Sequence, residues 1–241
     1  MDQKYYNISY AESPFGTLNQ YMTRTYSWMA AGLLVTFATA LLTVTTPLFE
    51  LMFSTGLVFL LSIAELVLVA VLSARVERLQ PTTATGLFFA YAVLNGINLS
   101  TYFIIYDLST LILAFLVGTV YFGVMAVYGA RTQRDLSGWG INLMGALIAI
   151  ILTSLVGGLI GMLTGAGFGM MDIVFCVVSV LVFMLFTASD TQKLKYYYAY
   201  YGGDASMLHK SSIIGALSLY LDYINIFLYI VRIVGRSRRN D

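Results

Sequence analysis

Apolar residues in this chain come in long, nearly unbroken blocks, separated by short polar stretches. Seven blocks reach the roughly 20 residues that a helix needs to span a bilayer. They cover approximately 26–48, 54–74, 85–106, 109–129, 139–162, 172–190 and 213–234. The predicted fold is therefore an all-α integral membrane protein, a bundle of seven transmembrane helices. The connections are short and leave no room for a second, soluble domain. We expect a polar cytoplasmic N-terminal segment over 1–23, a membrane domain over 24–235 and a short basic tail over 236–241. The longest connection runs from Thr191 to Ser212. Its tyrosines Tyr196, Tyr197, Tyr198, Tyr200 and Tyr201 are expected at the water interface, where amphipathic rings prefer to sit.

Composition agrees with that pattern. The chain is 59% hydrophobic and 10% charged, against about 25% charged residues in soluble domains. A net charge of +1 argues against a nucleic-acid partner, which would require a concentrated basic surface. The single cysteine, Cys176, lies in an apolar block and reads as a small buried hydrophobe, so no internal disulfide is expected. The first residues lack the apolar core of a cleavable signal. Asn7-Ile8-Ser9 fits a glycosylation sequon and is read as incidental. Membrane lipid is the obligatory partner.

Lysine and arginine set the orientation. Lys4 and Arg24 precede segment one, Arg75 and Arg78 follow segment two, and Arg131 and Arg134 follow segment four. Lys193, Lys195 and Lys210 follow segment six, and the intervening connections carry none. This alternation puts the N-terminus in the cytoplasm. Arg236, Arg238 and Arg239 break it, because a seventh crossing would place them outside. Either segment seven re-enters, or it crosses despite its basic tail. Its length, Ile213–Val234, favours crossing.

Glycines recur every four residues at Gly157, Gly161, Gly165 and Gly169. In lipid this spacing permits close helix approach and a flexible turn.

Against this background three carboxylates stand out: Glu65, Asp190 and Asp222, each inside an apolar run. A charge at a helix centre costs roughly 2.5 kcal/mol or more, so such residues usually face protein or a water-filled path. Asp222 lies deepest. Ser218, Asp222, Asn225, Tyr229 and Arg232 follow at intervals of four, three, four and three, which puts them on one side of a helix. Asp190 closes segment six, within reach of Lys193. If segments six and seven are antiparallel neighbours, Asp190 and Asp222 meet. Two adjacent carboxylates share a proton, forming a pH sensor or a site for a hard cation such as calcium. Asn95, Asn98 and Asn142 suit interhelical hydrogen bonding, and Asn98 and Asn225 are candidates to line a path. His209, in the sixth connection, is read as solvated.

No enzyme chemistry is expected. HExxH and a nucleophile elbow are absent. The two helix-borne aspartates stand in TASD and LYLD, not in the YD and GxGD signatures of intramembrane aspartyl proteases.

Three segments carry a resemblance: FGVMAVYGARTQRDLSGWG (Phe122–Gly140), FTASDTQKLK (Phe186–Lys195) and ALSLYLDYINIFLYIVRIVG (Ala216–Gly235). From about Arg24 onward the chain resembles a bacterial-type member of the Bax inhibitor family, the transmembrane Bax inhibitor motif proteins. The resemblance implies a seven-helix bundle with a central last helix and a pH-responsive calcium leak. Asp190 and Asp222 would be the sensor pair and Glu65 the acid of the ion path. Arg75 and Arg78 are both candidates for a basic latch on the aspartates. The chain departs from its relatives at Ser189, where a tyrosine is common, and at Gly96-Ile97-Asn98-Leu99-Ser100, which lacks the usual following proline stretch.

The functional expectation is thus a calcium leak channel of a bacterial cytoplasmic (inner) membrane. It carries calcium as transported ion, responds to protons, and needs no cofactor. Two alternatives stand beside it: a non-conducting protein that regulates membrane proteases or other membrane proteins, and a proton-coupled calcium exchanger.

Overall fold

A computed structural model describes residues 16–75, 78–164 and 170–237. Asn7, Gly165, Gly169, Arg238 and Arg239 lie outside these. The described chain is all helical: α1 (Leu18–Thr45), α2 (Leu48–Ser54), α3 (Leu57–Arg75), α4 (Pro81–Ile105), α5 (Leu108–Arg131), α6 (Gly140–Thr164), α7 (Met170–Tyr201) and α8 (Ala205–Ser237). Six of these are long and apolar enough to cross a membrane, and the pair α2–α3 adds a seventh if counted as one span. Helices satisfy every backbone group internally, which is why lipid selects them.

Local chemistry sets the ends. Thr17 caps α1 in a reciprocal box with Gln20: the Thr17 hydroxyl accepts from Gln20 N–H, and Gln20 Oε1 accepts from Thr17 N–H at 2.9 Å. The helix so begins well before the apolar block does. Pro81, whose missing N–H costs nothing in a first turn, opens α4. Asp204 Oδ1 accepts from Met207 N–H at 3.0 Å and starts α8.

Segment seven, favoured as a crossing, is one continuous helix of spanning length, α8. The structure changes the picture at two other places. A bend opens segment two, where α2 and α3 meet at 89°. At the bend Gly56 has φ +71°, a conformation that glycine adopts without strain. The Thr55 hydroxyl just before it donates to the Leu51 carbonyl, occupying an acceptor at the end of α2. The second place is the long sixth connection. α7 continues to Tyr201 and α8 begins at Ala205, so the turn is only Gly202-Gly203-Asp204. Tyr198 is buried against protein, its ring 5.6 Å from that of Tyr21.

The chain divides into two compact units, one drawn from Met1–Asp107 with Lys193–Tyr220, the other from Leu108–Gln192 with Leu221–Asp241. In the first, α1 and α4 pack closely at Gly96, where a Cβ would lie 2.5 Å from the Thr36 carbonyl oxygen. Thr36 Oγ1 lies 2.9 Å from the Ala92 carbonyl and 2.6 Å from the Tyr220 hydroxyl. With one proton to give, Thr36 donates to backbone carbonyl and accepts from Tyr220. Nearby, hydroxyl pairs Tyr21–Ser211 and Thr25–Ser212, each at 3.0 Å, tie α1 to the start of α8.

In the second unit α5 meets α7 at Gly129, where a Cβ would fall 2.2 Å from the Ala188 carbonyl oxygen. The Tyr223 ring takes edge contacts from Phe115 and Phe122 at 5.7 Å. Gln192 pins the loop after α5, accepting from Leu136 N–H and donating to the Arg134 carbonyl, both at 2.8 Å. Large aliphatic residues of α6 such as Ile148, Leu152, Leu155 and Leu159 are exposed, as a lipid-facing surface requires. The last helix is the most enclosed span: 67% of its apolar window is buried, against 33% or less elsewhere.

Candidate functional site

Glu65 projects from α3 and is half-buried. Asn95 and Asn98 stand one helical turn apart on α4, on the same face. Each reaches one carboxylate oxygen: Asn95 Nδ2 donates to Oε1 and Asn98 Nδ2 to Oε2, both at 2.5 Å. Asn98 Oδ1 in turn accepts from the Ser62 hydroxyl at 3.2 Å, one turn before Glu65 on α3. The buried Tyr91 hydroxyl sits beside the same carboxylate. The result is an acid whose two oxygens are both engaged by neutral donors. Placing such a group in a membrane helix becomes affordable because its hydration is replaced by fixed dipoles.

Sequence reasoning found Glu65 and named Asn95 and Asn98 as interhelical bonding residues, and the structure joins all three. It missed Tyr91 and Ser62. The Ser62–Glu65 and Asn95–Asn98 spacings of three residues were the available signal, since they mark one polar face on each helix. Asn142, also expected to bond between helices, is exposed on α6. Asn225 Nδ2 donates to the Leu221 carbonyl of its own helix at 2.8 Å.

Both candidate sensor residues belong to the second unit. Asp222 is buried on α8, with 4% of its surface accessible. Asp190 is half-buried on α7, between the buried residues Ser189 and Thr191. It does not end a helix, as expected, because α7 continues to Tyr201. The one-sided polar stripe on α8 holds in part: Asp222 and Tyr229 are buried, Ser218 and Asn225 half-buried, and Arg232 exposed. Glu65, Asn98, Arg75 and Arg78 belong to the first unit. Arg75, in the last turn of α3, and Arg78 are both exposed.

Among the described residues no three His, Cys, Asp or Glu side chains come together to hold a metal. A resident calcium cage normally gathers more carboxylates than two. His209, expected to be solvated, is only partly so. It is half-buried, with Nε2 3.2 Å from the Thr85 hydroxyl and its ring edge-on to Trp28 at 6.0 Å. Cys176 is buried, as expected.

Comparison with known proteins bears on what this arrangement belongs to. Residues 18–239 match the family model described as inhibitor of apoptosis-promoting Bax1. The chain is 42% identical over 235 residues to inner membrane protein YbhL of Escherichia coli, covering 93% of this chain and 95% of that one. It is 35% identical over 222 residues to an uncharacterized protein of Rickettsia prowazekii, covering 92% and 91%. A membrane protein of Streptococcus pyogenes, also uncharacterized, is 34% identical over 235 residues, covering 96% and 98%. With a family match that takes in every described helix from α1 to α8, this integral membrane protein belongs to the Bax inhibitor family.

Proposed function

We propose that this protein is a pH-sensitive calcium leak channel of a bacterial inner membrane, with its N-terminus in the cytoplasm. The observation that carries the reading is Asp222, a carboxylate with 4% of its surface accessible on the most enclosed membrane helix. A hydroxyl or amide would serve packing at lower cost, so an acid at this place points to a role for its charge or its proton. Asp190 supplies a second acid in the same unit. When two such groups approach, one proton is shared and cation binding becomes pH-dependent. In this reading Glu65, cradled by Asn95 and Asn98, attracts the ion. Asp190 and Asp222 then bind it, release it and sense pH. Arg75 or Arg78 supplies the latch. The function is transport without catalysis and without a cofactor.

The test is calcium flux into dye-loaded proteoliposomes between about pH 5 and 8, with wild type beside Asp190→Asn and Asp222→Asn. A protein-dependent flux whose pH response changes in both variants supports the channel. Absence of flux above empty liposomes, with all three proteins folded, sinks it in favour of a regulator of membrane proteases or other membrane proteins. Proton movement opposite to calcium would assign an exchanger instead.

A further inference from the structure

A cleft of about 470 Å³ opens among α6, α7 and α8 within the second unit. Ser154 and Gly157 of α6 and Phe175 of α7 line its body. Asp172, Arg232 and Arg236 line its polar end. Arg236 Nη1 lies 3.4 Å from Asp172 Oδ2, with about a third of each side chain accessible. Arg232, one turn earlier on α8, is exposed. Two arginines and one carboxylate thus line the cleft, and its polar end carries an excess positive charge.

The cleft's size falls in the range of about 300–1,000 Å³ typical of small-molecule sites. Its surroundings restrict the occupant further. Ile151, Leu152 and Leu155 on α6 are exposed apolar residues, so the cleft borders a lipid-facing surface. Gly157 and Gly158 add no side chains to its wall, leaving room for an elongated apolar body. An occupant that matches both ends has an anionic head and a hydrocarbon tail. Arginine holds phosphate oxygens through its planar fork of donors. A long and partly accessible ion pair such as Arg236–Asp172 is weak, so a phosphate can share Arg236 without displacing the acid.

We propose that this cleft is a binding site for an anionic phospholipid, with the phosphate between Arg232 and Arg236 and an acyl chain along Gly157 and Phe175. The ion-path carboxylates take no part in it.

The test uses the full chain in nanodiscs of phosphatidylcholine, reading the motionally restricted fraction of spin-labelled phosphatidylglycerol against spin-labelled phosphatidylcholine. Selective restriction of phosphatidylglycerol is expected. Arg232→Gln should weaken that preference about tenfold, the equivalent of one lost charge-assisted bond. Ser154→Phe, which fills the cleft and leaves both arginines in place, should weaken it similarly. Both positions are exposed, so thermal unfolding should match wild type. Equal restriction of the two lipids in the wild type overturns the proposal without recourse to any variant. A preference that survives Ser154→Phe overturns it too, by assigning the attraction to surface charge alone. Inorganic phosphate that binds the protein while phosphatidylglycerol is not restricted would make the polar end a free-anion site and overturn the lipid assignment.

Discussion

Asn98 donates through Nδ2 to Glu65 Oε2 at 2.5 Å, binding α4 to α3 through a membrane carboxylate. Asn95 does the same for Oε1. Removing either amide leaves a carboxylate oxygen in the membrane without its donor, at a cost of about 1–3 kcal/mol. Asn95→Leu and Asn98→Leu should each lower the unfolding temperature in detergent. In a Glu65→Ala background the same substitutions should cost far less, because the acid that needed the amides is gone. A double-mutant cycle measures this coupling, and strict additivity of the two losses would show that the cradle contributes nothing.

Close approach at two glycines makes a second prediction. A Cβ at Gly96 or Gly129 meets a backbone carbonyl within 2.5 Å, and backbone cannot swing aside as a flexible side chain can. Gly96→Ala and Gly129→Ala should destabilise by about 1–3 kcal/mol, the usual cost of overpacking. Gly86→Ala on α4 and Gly145→Ala on α6 have open space around the new methyl. There the gain in helix propensity should leave stability unchanged or raise it by up to about 1 kcal/mol. Thermal unfolding of the four variants side by side decides the matter.

The loop after α5 gives a third. Gln192 satisfies the Leu136 N–H and the Arg134 carbonyl together. Gln192→Leu keeps the bulk and removes both bonds. Amide exchange at Leu136 should accelerate while exchange in mid-helix of α5 stays unchanged. Unchanged exchange at Leu136 would mean that its buried side chain, rather than the glutamine, holds the loop.

These variants also mark which parts of the fold could be read from the chain. The membrane spans were legible because lipid demands a fixed length of apolar helix, and Leu108–Arg131 or Gly140–Thr164 supplies little else. The ends were not legible from apolar runs. α7 and α8 continue where the sequence turns polar, with Leu194, Tyr198 and Leu208 still buried among exposed neighbours such as Tyr196 and Tyr200. That is the amphipathic pattern of a helix leaving lipid for protein. A search for unbroken hydrophobicity therefore ends α7 and begins α8 inside the true helices. The Glu65 cradle was half legible. Each helix announces its polar face through three-residue spacing, but nothing in a single sequence says that residues about thirty positions apart face one another. The burial of Asp222 was legible from its place in an apolar helix, where a carboxylate is expected to face protein or an internal path.

The two aspartates give the last prediction. If Asp190 and Asp222 act as one proton-sharing unit, their titration belongs to the pair and to neither residue alone. Replacing either by asparagine removes the shared proton and leaves a single acid with no like-charged neighbour. Asp190→Asn and Asp222→Asn should then each flatten the pH dependence of calcium flux, and the double variant should flatten it no further. Two independent acids would behave otherwise: each single variant would retain part of the pH response, and only the double variant would abolish it. The comparison of pH profiles for wild type, both singles and the double therefore separates a coupled sensor from two unrelated membrane carboxylates. It does so whichever direction the wild-type response runs. Because asparagine preserves the size of the side chain and removes a buried charge, Asp222→Asn should fold as well as wild type, so a lost pH response cannot be put down to a lost fold.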